Sequence, residues 1–481
     1  MLIAGIWALA FQGSRGLIEP DEGRYSNVAL QILQHNDWIS LYRNQESLHF
    51  TKPPLTYWLI AASVSVLGHN EWAVRLPMAL AFMLSVFLVY QLGRAFVPSK
   101  PWLPALLFLA SPLAYLASNT VNTDTVLAAM VTLAMACYAK YRFGAGSLRW
   151  LDGMWLAFGL AFLTKGPPAL LPLLAVLVFT LWHKQAKTLF RPLGLLAFVV
   201  VGITWYAVVI MRHPGLLDYF LGHEVVDRIA SDTHKRNGEW YGALKVYAPT
   251  LLLGTLPGLI ALAIYRKKSP VQTRTPDSTE ISRFLWLWFA LPLAIFCLSR
   301  SRLPLYVLGL IVPACLLLAK RLEYAPFTRK AALCMAAWLL LLLGVKGLVP
   351  VVLNDHIKDS RNFAEAIRPM LPGHPNQIIF VEDMTRNGLN LYFDTNVKKV
   401  SFVATDKPIS DSANDSSLAE ELNHPADQRI FIMKREVEPK FLAEPSIGRR
   451  GAVKLGEWIE KDKPSARDRM IYTLVGEFPD N

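Results

Sequence analysis

Five short stretches of this 481-residue sequence carry ionisable groups beside apolar runs. The first is Glu19-Pro20-Asp21-Glu22-Gly23-Arg24-Tyr25, carboxylates with an arginine one helical turn away. A carboxylate so placed can act as a base or position a hydroxyl or phosphate. The second is His49-Phe50-Thr51-Lys52-Pro53-Pro54-Leu55-Thr56-Tyr57-Trp58, where prolines hold the chain extended and Lys52 opens an apolar helix. A lysine beside outward-pointing backbone N–H groups makes a phosphate site. In the third, Asn119-Thr120-Val121-Asn122-Thr123-Asp124, an acid opens an apolar run. The fourth, Thr164-Lys165-Gly166-Pro167-Pro168, sets a lysine at a helix break. The fifth, Ser299-Arg300-Ser301-Arg302-Leu303-Pro304-Leu305-Tyr306, offers arginines to an anion, and a lipid-linked phosphate fits. Each stretch also has an ordinary reading. Acids in a first helical turn favour the helix dipole, lysines snorkel, and arginines pair with headgroups. The elements that carry the stretches decide between these readings.

Hydrophobic residues make up 53% of the chain and charged ones only 18%, with mean hydropathy +0.31. Soluble domains carry about 25% charged residues. The apolar residues gather in runs such as 103–109, 170–181, 193–210 and 331–345. This excludes a soluble enzyme, a disordered chain and a fibrous protein. It also excludes a transmembrane β-barrel, whose segments are short and alternating. The pattern predicts a polytopic α-helical membrane protein with about eleven transmembrane helices. They lie at 1–11, 73–96, 102–118, 124–141, 150–164, 168–182, 192–211, 242–265, 283–299, 303–319 and 331–350. Basic residues cluster in alternate loops, for example Lys140, Arg142 and Arg149, or Lys320, Arg321, Arg329 and Lys330. The positive-inside rule makes those loops cytoplasmic. The loops at 13–72, 119–123, 165–167, 212–241 and 300–302 are then outside, with the C-terminal region. The apolar segment 54–67 is about 14 residues long, short for a span, and reads as a helix in the outer interface. All five chemical stretches thus fall on one membrane face, which points to a polar reaction on a lipid phosphate.

From 351 onward the chain turns polar, with short apolar strands at 377–381 and 429–433 and another at 397–403 around a pair of lysines. Residues 1–350 are expected to form the transmembrane catalytic domain, with interfacial helices in loop 13–72. Residues 351–481 are expected to form a small soluble α/β domain outside the membrane. Of the net charge of +12, residues 351–481 contribute −3 (18 basic, 21 acidic) and the membrane half +15. The positive charge therefore belongs to topology and anionic lipid, and no nucleic-acid partner is read. Cys137, Cys297, Cys315 and Cys334 all lie in apolar spans and read as small hydrophobes. The external loop 219–241 holds His223, Glu224, Asp227, Arg228, His234 and Lys235 and reads as a solvated cover.

The order of motifs resembles a known family. Asp21-Glu22-Gly23-Arg24-Tyr25, Asn36-Asp37-Trp38, the Thr51-Lys52-Pro53-Pro54 run, Gly68 and Arg75-Leu76-Pro77 are similar to bacterial aminoarabinose lipid A transferases. These are related to the protein O-mannosyltransferases and share the GT-C fold. The likeness continues through Asn122-Thr123-Asp124, Thr164-Lys165-Gly166-Pro167 and Arg302-Leu303-Pro304-Leu305-Tyr306, and so covers most of residues 1–320.

The resemblance implies a polyprenyl-phosphate-sugar donor and inversion at the anomeric carbon. It implies a multi-pass protein of the bacterial inner membrane with its active site and C-terminal domain on the periplasmic side. On that pattern Asp21 is the catalytic carboxylate with Arg24 beside it, and Asp124 completes the acidic site. Lys52 binds the donor phosphate, while Arg302 and Tyr306 line the phosphate or sugar pocket; Lys165 joins these cations. The acceptor is lipid A or another glycolipid, the alternative being a protein, as in the O-mannosyltransferases. Some relatives carry Glu where this chain has Thr51, and proline where it has Gly309. No metal ligand and no cofactor are assigned; a divalent metal is compatible but not indicated. The rival class is a transporter or flippase of lipid-linked sugars, which would show repeat-related halves with broken helices near the midplane. Charges gathered at one face favour the enzyme.

Overall fold

The computed structural model describes residues 2–144, 146–226, 237–265, 276–352, 358–404, 416–423, 428–459 and 468–478. The chain divides into two compact units, one helical and one built on a sheet.

The helical unit comprises Met1–Ala10, Lys52–Thr56 and Leu76–Val345. Among the described residues of the chain, six helices are long and apolar enough to cross a membrane: Glu71–Phe96, Thr123–Phe143, Pro192–Arg212, Ser278–Leu298, Pro304–Arg321 and Arg329–Leu348. A seventh candidate, Gly242–Gly254 with Leu256–Tyr265, bends by 66°. The remaining expected spans form shorter pieces. Residues 102–118 split into Trp102–Leu109 and Pro112–Ser118, because Ser111 caps the second helix and Pro112 begins it. Residues 168–182 begin as a 3₁₀ turn, Pro167–Leu170, before Leu171–Trp182. Helix Arg149–Lys165 has 17 residues.

Charge sorts the ends of this bundle. Thr123–Phe143 starts with Asp124 and ends with Lys140 and Arg142, and Arg149–Lys165 packs against it running back. Asp124 and Lys165 therefore meet at one end, while Lys140 lies 4.3 Å over the Trp150 ring at the other. Pro304–Arg321 likewise runs from Tyr306 to Lys320 and Arg321. A 21-residue helix such as Thr123–Phe143 rises about 30 Å, the thickness of a hydrocarbon core.

The second unit comprises Phe11–Thr51, Tyr57–Arg75 and Lys346–Asn481. Loop 13–72, expected with the transmembrane domain, thus lies mostly in the same compact unit as the C-terminal residues. Its sheet has six strands: β1 Gln377–Val381, β2 Asn396–Ser401, β3 Ser416–Ser417, β4 Arg429–Lys434, β5 Ala452–Trp458 and β6 Arg469–Leu474. The order is β3-β2-β1-β4-β6-β5, parallel from β3 to β4 and antiparallel beyond. Alternate β1 residues enter opposite cores, Ile378 and Phe380 on one face, Ile379 and Val381 on the other. Burial on both faces is why β1 and β4 read as continuous apolar runs. The amphipathic helix Asp21–His35 packs on Leu389–Phe393, where Asn390 donates to the Asn27 side-chain oxygen at 2.8 Å.

Candidate active site

In the helical unit the central group is Lys165. It is the last residue of its helix, where a cation suits the dipole, and Gly166 (φ +68°) ends the helix just after it. Asp124 lies in the first turn of the neighbouring helix, whose N-cap Asn122 accepts from the Thr125 N–H at 2.8 Å. The Lys165 ammonium donates to the Asp124 carboxylate. It also lies 4.3 Å from the centre of the Tyr306 ring. Both charged side chains are largely buried, which strengthens the ion pair and the cation–π contact. Tyr247 packs in the same region, its hydroxyl buried, with no hydrogen bond among the described residues, and within electrostatic reach of Tyr306, Arg302 and Asp124.

Arg302 behaves differently from the sequence expectation of a cation turned to a ligand. Its guanidinium donates to the carbonyls of Asn237 (2.7 Å), Glu239 (2.8 Å) and Cys297 (3.0 Å). Asn237 returns a bond to the Arg302 carbonyl at 3.1 Å. Two of the arginine's donors therefore hold the chain leading into helix Gly242–Gly254, and a third bonds the end of helix Pro276–Leu298. Its Nε is buried and makes no hydrogen bond among the described residues. Lys52 lies half-buried in the stretch before helix Leu55–Leu67.

In the second unit, three consecutive carboxylates have three different environments. Asp21 is exposed and accepts from Arg24 at 2.6 Å. Arg24 in turn lies 5.2 Å over the Tyr25 ring. Glu22 is buried between two arginines: Arg15 donates at 2.5 and 3.1 Å, Arg75 at 3.0 and 3.0 Å. Burial alone would push its carboxyl up, but the two guanidiniums hold it well below the usual carboxylate range. Glu19 is buried too, accepting from the Gly388 N–H at 2.6 Å and the Ser360 hydroxyl at 3.0 Å. Here burial wins, and the carboxyl rises to about 7 against the pull of those bonds and of Arg386 and Arg24. Gly23 leaves room for it, since a Cβ there would meet the Glu19 carboxylate at 2.1 Å.

The structure thus brings Asp124, Lys165 and Tyr306 together in one unit and pairs Asp21 with Arg24 in the other. The partners of Glu22 and Glu19 went unread in the sequence. One signal was available: Arg75 is a charge early in an apolar span, and such a charge needs a partner. Asp227, Arg228, His234 and Lys235 lie outside the described residues, as do the side chains of His223 and Glu224. Among the described residues, no three His, Cys, Asp or Glu side chains are placed to hold a metal ion.

Helices long and apolar enough to cross a membrane, a buried ion pair at one bundle end and a sheet-built unit are the features to compare with known proteins. Residues 51–211 match the family model described as dolichyl-phosphate-mannose-protein mannosyltransferase. The chain is 32% identical over 365 residues to undecaprenyl phosphate-α-4-amino-4-deoxy-L-arabinose arabinosyl transferase 2 of Pseudomonas fluorescens, covering 73% of this chain and 64% of that protein. It is 33% identical over 339 residues to the corresponding Pseudomonas aeruginosa transferase, covering 67% and 59%. The chain therefore spans about six-tenths of the length of these curated relatives. Its fold is that of ArnT from Cupriavidus metallidurans, solved bound to undecaprenyl phosphate: TM-score 0.76, 18% identity, 98% of this chain and 96% of that one. The resemblance to aminoarabinose lipid A transferases and their mannosyltransferase kin thus holds across sequence and fold.

Proposed function

We propose that this chain is an inverting membrane glycosyltransferase that moves a sugar from a polyprenyl-phosphate donor to lipid A or another glycolipid. The names of its relatives support that donor and a pentose. One observation carries the reading. A buried lysine, braced by Asp124 and Tyr306, stands at the bundle end away from the basic clusters, as a preorganised cation for a leaving phosphate. The charge sorting also supports eleven spans in a bacterial inner membrane, with the Asp124 end and the C-terminal domain periplasmic and the boundary near residue 350.

Cleaving the sugar–phosphate bond builds positive charge on the sugar ring and negative charge on the departing phosphate. Lys165 and Lys52 stabilise the phosphate, Tyr306 lines its pocket, and Arg302 offers its remaining donors while holding the adjoining chain. Asp21, aligned by Arg24, deprotonates a hydroxyl acceptor or positions a phosphate one. Asp124 sets the charge and place of Lys165. The test is incubation of purified protein with a panel of labelled polyprenyl-phosphate sugars and lipid A. Transfer is expected with the wild type and should fall about 10²–10³-fold in Lys165→Met. Equal transfer by Lys165→Met, or no transfer from any lipid-phosphate sugar, would overturn the assignment.

A further inference from the structure

A second charged pocket lies in the helical unit at the end opposite Lys165. We infer that it binds the phosphate headgroup of an anionic phospholipid. The pocket has a volume of about 430 Å³ and lies between the start of helix Pro276–Leu298 and the end of Ile311–Arg321. Arg283, Lys320 and Arg321 line it with Ser282, Trp182 and Trp286. It is not part of the candidate active site. Tyr306 and Lys320 stand at opposite ends of Pro304–Arg321, roughly 20 Å apart by helical rise.

Lys320 carries the inference. It is only 8% exposed, yet its ammonium makes no hydrogen bond or ion pair among the described residues. The carboxylate it feels is Glu323, which already accepts from the Ser99 N–H at 3.0 Å. With its stem buried and no close partner for its charge, Lys320 has its ammonium available to an anion held in this pocket. Arg283 adds a second charge and stacks 5.3 Å over the Trp182 ring, and Arg321 adds a third. Glu280 on the same helix does not cancel them, because it is matched to Arg142 at 2.6 Å.

The surroundings favour a lipid over a soluble phosphate. Trp182 and Trp286 are exposed, and aromatic rings of this kind sit at headgroup level. The helix that carries Arg283 continues as an apolar span, so a headgroup held here lays its acyl chains on a surface suited to them. Three cations, an adjacent hydroxyl and two interfacial rings match a phosphodiester attached to a diacyl chain.

The experiment is native mass spectrometry of the purified full chain with equal phosphatidylglycerol and phosphatidylcholine. Wild type should retain phosphatidylglycerol selectively, and each charge removed should cut that preference about fivefold. Lys320→Met keeps the buried volume, and Arg321→Gln changes only an exposed side chain, so the second serves if the first does not fold. Millimolar inorganic phosphate should leave the lipid in place. Equal retention of the two lipids, a preference unchanged in Arg321→Gln, or displacement by inorganic phosphate would overturn the inference.

Discussion

Glu22 and Asp21 are neighbours in sequence, and amidation should separate them cleanly. Glu22→Gln keeps the shape of the side chain but removes a charge shared by Arg15 and Arg75. The carboxylate accepts five hydrogen bonds, from Arg15 (two), Arg75 (two) and the Ile18 N–H at 2.9 Å. In the amide, the nitrogen takes the place of one oxygen; even in the better orientation, at Oε1, it faces donors from Arg15 and Arg75, so two bonds become donor–donor clashes. Arg75, at 1% exposure, is left with only the carbonyls of Gln12, Arg15 and Gly16 and whatever the amide oxygen retains. Breaking a buried pair by removing one charge costs about 3–5 kcal/mol. For a unit of this size that is on the order of 10 °C in melting temperature. Asp21→Asn touches an exposed pair worth at most about 1 kcal/mol and should leave melting unchanged. Its turnover, however, should fall about 10²–10⁴-fold. Fluorescence-monitored melting and labelled-sugar transfer on the same preparations read both effects. Unchanged melting in Glu22→Gln would refute the buried-pair argument, and near-normal transfer by Asp21→Asn would return that residue to helix capping.

Two further outcomes are expected. Glu19 has a carboxyl raised from 4.5 to about 7, so its contribution to stability is complete below pH 4.5 and is lost as pH rises through 7. That is a decline of up to about 3 kcal/mol, which Glu19→Gln should flatten. Melting temperatures of both proteins at pH 5 and pH 7.5 check this, and parallel slopes would be the contrary result. A reporter fused after Tyr324 should read cytoplasm and one fused after Asn481 periplasm. Both on one side would contradict the eleven-span scheme.

The Lys165–Asp124 pair was within reach of the sequence. Both residues stand at helix ends on the same side of the positive-inside pattern, and two helices of similar length that run back along each other from a short connection bring their far ends together. Strands β1 and β4 were legible because burial on both faces makes each a nearly uninterrupted apolar run, whereas β2 showed only valines flanking a pair of lysines. β5 was not, because its residues are mostly half-buried and carry no run to recognise. Arg302 reads in sequence as a cation seeking an anion. Its actual partners are backbone carbonyls, and carbonyls leave no mark on residue type.

The acids beside Asp21 show what single-residue chemistry leaves out. Glu19, Asp21 and Glu22 look interchangeable as carboxylates near a helix start. Tertiary partners as much as 369 residues away in sequence make them three different groups. Glu19 is fastened to Gly388 and Ser360, and Glu22 to Arg15 and Arg75. Of the three, only Asp21 keeps its carboxylate at the surface. A reactive carboxylate must be accessible, yet its backbone must not wander, since small displacements of a reacting group cost large factors in rate. Two buried neighbours tied from both sides meet the second need without blocking the first. On the proposed mechanism, loosening either one by substitution should lower labelled-sugar transfer in proportion to the mobility gained at Asp21, and unchanged transfer with a loosened helix start would refute this role.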